Sequence, residues 1–256
     1  MMPISYLFEA RAAGKTTQAM IDHFVNRTNI HIDLVIKYLQ KIINLNDSRL
    51  DNNLLEKEKT HDQSKFKDPE VGPYVFVDHS YHMKDQGKKF DPPADIKKQM
   101  QAATFHHIKI NKHHPDFWNK DLELSNINNK DRDKPPEKMV DATKMPLTYV
   151  ASMISDWLAM SEEKGTDPYE WAEQNVNKLW KFGPEQIKLI YDLLDKVWIS
   201  KIDYKGWIIT VSKFDRGWSG NAKKDNETLS IRGWINSREE AIKEFKNMVD
   251  NWIRNN

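Results

Sequence analysis

His61-Asp62-Gln63-Ser64-Lys65 decides how this chain is read. An imidazole beside a carboxylate suits a divalent metal. The nitrogen is a borderline ligand and the oxygen a hard one, a mix that Zn, Fe, Mn or Co accepts. On a helix, adjacent side chains point about 100° apart, so one ion reaches both only over the edge between them. Such a site needs further ligands from other helices. The periodicity predicts a helix from about Asn52 to Phe66 carrying the pair, closing before Asp68-Pro69.

Working outward, Thr16–Arg27 reads as a short helix, and Asn29 as the cap of the next, Ile30–Asn44. The second has the apolar stripe Leu34, Val35, Tyr38, Leu39 and Ile42, and His31 falls on it at helical spacing. Tyr74–Asp85 carries His79 and His82. Ile96–Ile110 carries His107 on the face of Ile96, Met100 and Ala103, and the loop Asn111–Pro115 follows. Ser125–Pro146 reads as a long polar loop. Leu147–Ser161 is strongly helical, with Asp156 at the border of the face formed by Val150, Met153, Ile154, Trp157 and Leu158. The candidate metal ligands are therefore His31, His61, Asp62, His82, His107 and Asp156. A polar side chain beside a buried face is costly unless satisfied, and coordination satisfies it. His31, His61, Asp62 and Asp156 make a set for one ion; His82 and His107, with Asp62 bridging, would complete a second.

Composition narrows the classes. The chain has 256 residues with Lys plus Arg 39 against Asp plus Glu 38, so no charge imbalance points to nucleic acid or an anionic membrane. Without cysteine there are no disulfides, thiolate zinc sites or cysteine nucleophiles. No apolar run approaches the length of a membrane span, and Met1–Ala10 lacks the basic start of a signal peptide. These features suggest a soluble cytoplasmic protein. After Gly165 the composition shifts. Asp167–Phe182 and Pro184–Trp198 read as helices, Gly206–Lys213 and Thr228–Ile235 as strands, and Ser237–Glu240 as the capping box of a terminal helix. The expected architecture is mainly α: a helical metal-binding body over 1–165, then 166–256 as a helical linker plus a ββα-like appendage.

The order His31, His61-Asp62, Asp156 resembles the His…His-Asp…Asp signature of the HD-domain superfamily. His61–Lys65 is similar to the His-Asp-x-x-Lys variant of the HD-GYP phosphodiesterases, without their Gly-Tyr-Pro element. His82 and His107 resemble the second-metal histidines of two-metal members, including the di-iron oxygenases. The string from His61 to Phe66, with Glu70 and Tyr74, Phe105–Trp118 and Met153–Ser161 resemble an uncharacterised HD-like family of bacteria and phages, over roughly residues 25–165. The resemblance implies a helical bundle around one or two divalent ions, such as Mn, Fe, Co, Mg, Ni or Zn. It also implies hydrolysis of a nucleotide or other small phosphate ester. Lys65 and one of His113 and His114 would meet the substrate phosphate, and Glu70 would serve as base. The same ligands suit an HD-type di-iron oxygenase, and a structural ion in a binding protein is the third reading.

Two further signals carry less. Ala13-Gly14-Lys15-Thr16-Thr17 imitates the end of a phosphate-binding loop, but Glu9 stands where its first glycine belongs. In the C-terminal part, Trp207 and Trp234 read as core of a small sheet, and Trp218 as an exposed contact.

Overall fold

The fold comes from a computed structural model that describes residues 16–255 apart from 52, 122, 124–137, 215 and 232. The glycine and lysine of the imitated phosphate loop, and most of the polar loop before Pro146, lie outside the described residues.

The first helix, α1, runs unbroken over Gln18–Ile43. Thr17 caps it, its hydroxyl accepting from the Met20 amide at 3.3 Å. Asn29, expected to separate two helices, lies inside it. Neither glycine nor proline interrupts the segment, and the buried positions Phe24, Thr28, His31, Val35, Leu39 and Ile42 keep one continuous stripe. The expected helix over 52–66 is instead α2 (Leu54–Glu58), a turn holding His61 and Asp62, and a 3-10 turn over Gln63–Phe66. Next come α3 (Val71–Asp85) and α4 (Ala94–Ile110), then a 3-10 turn over Pro115–Trp118.

The centre of the body is α5 (Leu147–Lys164), in which all of 150–155 and 157–159 are buried. Gly165 closes it in the left-handed region at φ 64°, its amide bonded to the Ser161 carbonyl. The expected helix over 167–182 is shorter: α6 is Pro168–Asn175. The rest turns into the strand Trp180–Lys181 (β2), which pairs in parallel with Val140–Asp141 (β1). Trp180 stacks on Trp157 at 5.9 Å and donates to Asp116 at 2.9 Å, which holds this crossing against α5. Helix α7 (Pro184–Val197) then lays Leu189, Ile190, Leu193 and Leu194 into the core.

The C-terminal part has four strands where the sequence suggested two. β3 (Ser200–Tyr204), β4 (Trp207–Phe214), β5 (Gly217–Lys224) and β6 (Glu227–Ser230) form an antiparallel meander. Gly217-Trp218-Ser219-Gly220, which lies between the two expected strands, opens a strand of its own. Its glycines and serine disguised it, while Trp218 and Ala222 point inward beside Trp207 and Ile209. Trp218 is 4% exposed with its ring edge-on to Tyr169, whereas Trp234 is 46% exposed beside Phe214, so the expectations for these two tryptophans are reversed. Helix α8 (Arg238–Asn255) covers one face of the sheet with Ala241, Phe245 and Val249. Arg238 pins it to the body through Asp167, Ser200 and the Tyr169 ring. One buried cluster runs from Val35 through α5 and α7 to Val249, so the core continues across residue 165. The described residues are mainly helical, with eight α-helices, and none of those helices is long and apolar enough to cross a membrane.

At Gly220 a β-carbon would stand 1.8 Å from the Thr210 carbonyl oxygen. Gly220→Ala must therefore part β4 from β5, at a cost of about 2–3 kcal/mol. Thermal unfolding should show a fall of about 5 °C or more; an unchanged midpoint would contradict the close pairing of these strands.

Candidate metal centre

Five segments deliver side chains to one buried point. His31 comes from α1, His61 and Asp62 from the turn after α2, His107 from α4, His113 and His114 from the loop after it, and Asp156 from α5. The turn is what lets two neighbours in sequence face one place. Asp62 sits in the left-handed region at φ 56°. That conformation costs a non-glycine residue of order 1 kcal/mol and persists only where the surroundings impose it.

The donor atoms have the spacing of a shared ion. His31 Nε2 lies 2.9 Å from Asp156 Oδ1 and 3.7 Å from Asp62 Oδ2. His61 Nε2 lies 3.9 Å from both Asp62 Oδ1 and Asp156 Oδ1. Two atoms each ~2.1 Å from one ion stand roughly 3.0 Å apart at a right angle and roughly 4.2 Å apart when opposite. The same Asp62 Oδ1 is 3.1 Å from His107 Nε2 and 3.7 Å from His113 Nε2. The nitrogens of His107, His113 and His114 all lie within 4.8 Å of one another, as do the donors of His31, His61 and Asp156. The Asp62 carboxylate thus faces both groups of imidazoles, which meet where the His61 and His113 rings lie 4.1 Å apart. His61, Asp62, His107 and His113 are each at most 4% exposed, yet His61 Nε2, Asp62 Oδ1 and His114 Nε2 have no hydrogen-bond partner. Buried polar atoms without partners are rare, and a cation is one thing that satisfies all three together.

The second nitrogens of three rings face carboxylates, two of which, Glu58 and Glu163, sequence reasoning missed. His31 Nδ1 is 3.5 Å from Glu163, His61 Nδ1 is 3.4 Å from Glu58, and His107 Nδ1 donates to Glu70 at 2.8 Å. A carboxylate behind an imidazole fixes its orientation and raises its basicity toward a metal. Both partners of the first two pairs were visible as spacings: Glu58 precedes His61 by three, and Glu163 follows Asp156 by seven, two turns along one face. Glu70 is fully buried, with Oε1 on His106 at 2.7 Å and Oε2 on His107 and the Ser64 hydroxyl. It is therefore a support for His107 and is not free to act as the base suggested by its place in the sequence. Asn111 completes this support, donating to Ser64 at 3.1 Å and to the His107 carbonyl at 2.8 Å.

Two more expectations change. His82 lies outside the cluster, with Nε2 beside Gln86 and its ring 4.0 Å from that of His23. The reason is its position: it sits in the last turn of α3, whereas Tyr74, two turns earlier, is the residue of that helix that reaches His107. His113 and His114 join the second group of donors, places the sequence reading had given to His82 and to a phosphate contact. Burial and the neighbouring His61 hold His113 well below the usual imidazole range, and burial with His107 lowers His114 to about 3. Neither carries positive charge at neutral pH, so neither is a cationic phosphate contact. Lys65 supplies a positive charge at the rim, its Nζ 2.5 Å from Asp62 Oδ2 and 5.4 Å from the centre of the Tyr74 ring.

The remaining charges follow the geometry. Burial opposes ionisation of Asp156, but the His31 contact and charge hold it at about 2. Burial likewise opposes ionisation of Asp62, and Lys65, His61 and His107 hold it well below the carboxylate range. His31 loses charge stabilisation to burial, yet Asp156, Glu163 and Asp62 push it up to about 9.

Fold and site together define a mainly helical protein with a buried His/Asp cluster of the kind that holds divalent ions. The chain belongs to a family of unknown function, DUF5662, whose model matches residues 20–196. That span includes every residue of the cluster and ends within α7, before the sheet. No curated protein and no solved structure matches the chain.

A raised His31 makes metal uptake a proton exchange. At neutral pH the metal-free ring is charged, and ligation needs its Nε2 lone pair. Binding Mn²⁺ near pH 7 should release about one proton, read as a calorimetric heat that changes with buffer ionisation enthalpy. Affinity should rise with pH and flatten above about 9. The same shift stabilises the metal-free fold below the ordinary value of 6.5, and that contribution fades as the pH climbs through 9. A buffer-independent heat would contradict the arrangement.

Proposed function

We propose that the chain is a metal-dependent hydrolase of the HD type, cytoplasmic, acting on a phosphate ester or anhydride of a small molecule such as a nucleotide. The observation that carries this reading is the set of imidazoles backed by Glu163, Glu58 and Glu70 and converging with Asp62 and Asp156. The order of the donors along the chain, on separate segments of a helical body, supports the HD kinship suggested by the His61–Phe66 string. In this reading the site belongs to the first 165 residues, and the sheet with α8 is an accessory.

His31, His61, Asp62 and Asp156 would hold one ion, and Asp62, His107, His113 and His114 a second. When bound, such ions supply an acidified water and polarise a phosphoryl oxygen. The chain's own groups do the rest. Lys65, 18% exposed at the rim, offers its ammonium to an oxygen of the substrate. Tyr74 stays protonated, because burial and the charges of Asp62 and Glu70 push its phenol well above the usual range. It acts as a wall and hydrogen-bonding group. The half-buried His114 and Asp156 leave this side as the approach.

A screen of nucleotides, cyclic dinucleotides and sugar phosphates with Mn, Co, Mg, Ni and Fe tests the proposal, run beside an oxygen electrode with Fe(II). Phosphate release without oxygen uptake is expected. Uptake dependent on an organic substrate would establish the oxygenase chemistry that the same ligands permit, and no turnover by a fully loaded protein would leave a binding role. Lys65→Ala should lower kcat/KM about 10²-fold with metal content intact. Unchanged turnover would remove Lys65 from the phosphate.

A further inference from the structure

The two faces of the C-terminal sheet differ. Trp207, Ile209, Val211, Trp218 and Ala222 are buried on the face that α8 covers. The alternate residues of the same strands face the other way, where Lys201, Ile208, Phe214, Lys223 and Thr228 are exposed. Strand pairing sets this outer face in rows about 7 Å apart. Asp203 and Lys223 flank Ile208, Lys201 and Asn221 flank Thr210, Ser219 stands opposite Ser212, and Gly217 opposite Phe214. The middle of the plate is therefore small and polar, with Ser230 of β6 extending it beyond Asn221.

One end of the plate is aromatic. The Phe214 and Trp234 rings lie 5.2 Å apart and are 48% and 46% exposed. Gly217 makes room for the pair, since a β-carbon there would stand 3.2 Å from that of Trp234. Neither ring serves the core, which Trp207 and Trp218 fill from the other face. The opposite end carries the Lys201 and Lys223 ammonium groups on either side of β4. Asp203, the carboxylate between these rows, accepts the Gly206 amide at 3.3 Å and serves the hairpin turn. Over 199–235 seven basic residues stand against four acidic ones, whereas the whole chain has 39 against 38. A nearly neutral chain thus keeps its positive excess on the sheet, and a local excess of this kind attracts polyanions. Exposed rings beside cations and hydroxyls suit unstacked bases on a phosphate backbone. A second copy of the chain would set lysines against lysines, and a neutral glycan would leave the positive excess unmatched.

We propose that the outer face of this sheet binds single-stranded nucleic acid, with bases on Phe214 and Trp234 and phosphates toward Lys201 and Lys223. The site stands apart from the metal centre and does not depend on the proposed hydrolysis. Fluorescence anisotropy of a labelled oligothymidylate, titrated with the full chain at several salt concentrations, tests it. Saturable binding that weakens as salt rises is expected. Phe214→Ala and Trp234→Ala should each weaken it about tenfold or more. Lys201→Gln combined with Lys223→Gln should flatten the slope of log affinity against log salt by about 1.4, the share of two phosphate contacts. Lys188→Gln, on the exposed side of α7, should change neither quantity. Circular dichroism checks that the variants fold, and the lysine pair decides the matter if an aromatic variant does not. No saturable binding, or affinity and salt slope unchanged by the ring and lysine substitutions, overturns the proposal. So does equal competition by a neutral oligosaccharide, or a dimer of the chain that Phe214→Ala dissolves, which would mark the face as a self-interface.

Discussion

The Asp62 carboxylate, 1% exposed and faced by His31, His61, His107 and His113, is the constraint around which the body is arranged. Several ionisable groups packed this closely, out of water, are destabilising unless their charges and lone pairs are matched. The protein matches them from outside with Glu58, Glu70 and Glu163, and at the rim with Lys65. On the inside, the unpartnered atoms of His61, Asp62 and His114 remain, and a cation would complete the balance. The left-handed Asp62, the long unbroken α1 and the buried α5 then have one common purpose: they bring five segments to the same point.

That arrangement explains why the surrounding core is so rigidly specified. His31 shares its helix face with Val35, Leu39 and Ile42, all fully buried, and Asp156 shares α5 with Ile154 and Leu158. A ligand mounted among close-packed side chains cannot drift, because shifting it means repacking its neighbours. The outer carboxylates add direction: Glu70, held by His106 and Ser64, allows His107 one orientation. Among the described residues the sheet and α8 contribute no donor to the cluster, and they join the body through Arg238, Tyr169 and a shared apolar core.

Much of this was legible in the residues, for identifiable reasons. His31, His61, Asp62, His107 and Asp156 stand at the edge of apolar stripes or in an adjacent pair, and those local signals survive folding. What failed was whatever depended on backbone geometry that side-chain pattern does not encode. The helix over 52–66 ends at Glu58, and the turn after it carries a left-handed Asp62, which no neighbouring glycine announces. His82 has the right residue type on the wrong turn of α3. The strand over 217–224 is written in glycine, serine and asparagine, so its alternation shows only at Trp218 and Ala222. Glu58 and Glu163 carried the spacing signal but no obvious motif. Their role appears only when the second nitrogen of each ring is located.

The central claim is that the cluster around Asp62 is a metal centre. Anomalous diffraction from crystals grown with Mn²⁺, recorded on either side of the manganese edge, tests it most directly. A peak bounded by His31, His61, Asp62 and Asp156 is expected, with a second between Asp62 and His107, His113 and His114 at higher occupancy of the metal. Fully ordered side chains in these positions with no anomalous peak, and water bridging His61 to Asp62 instead, would contradict it.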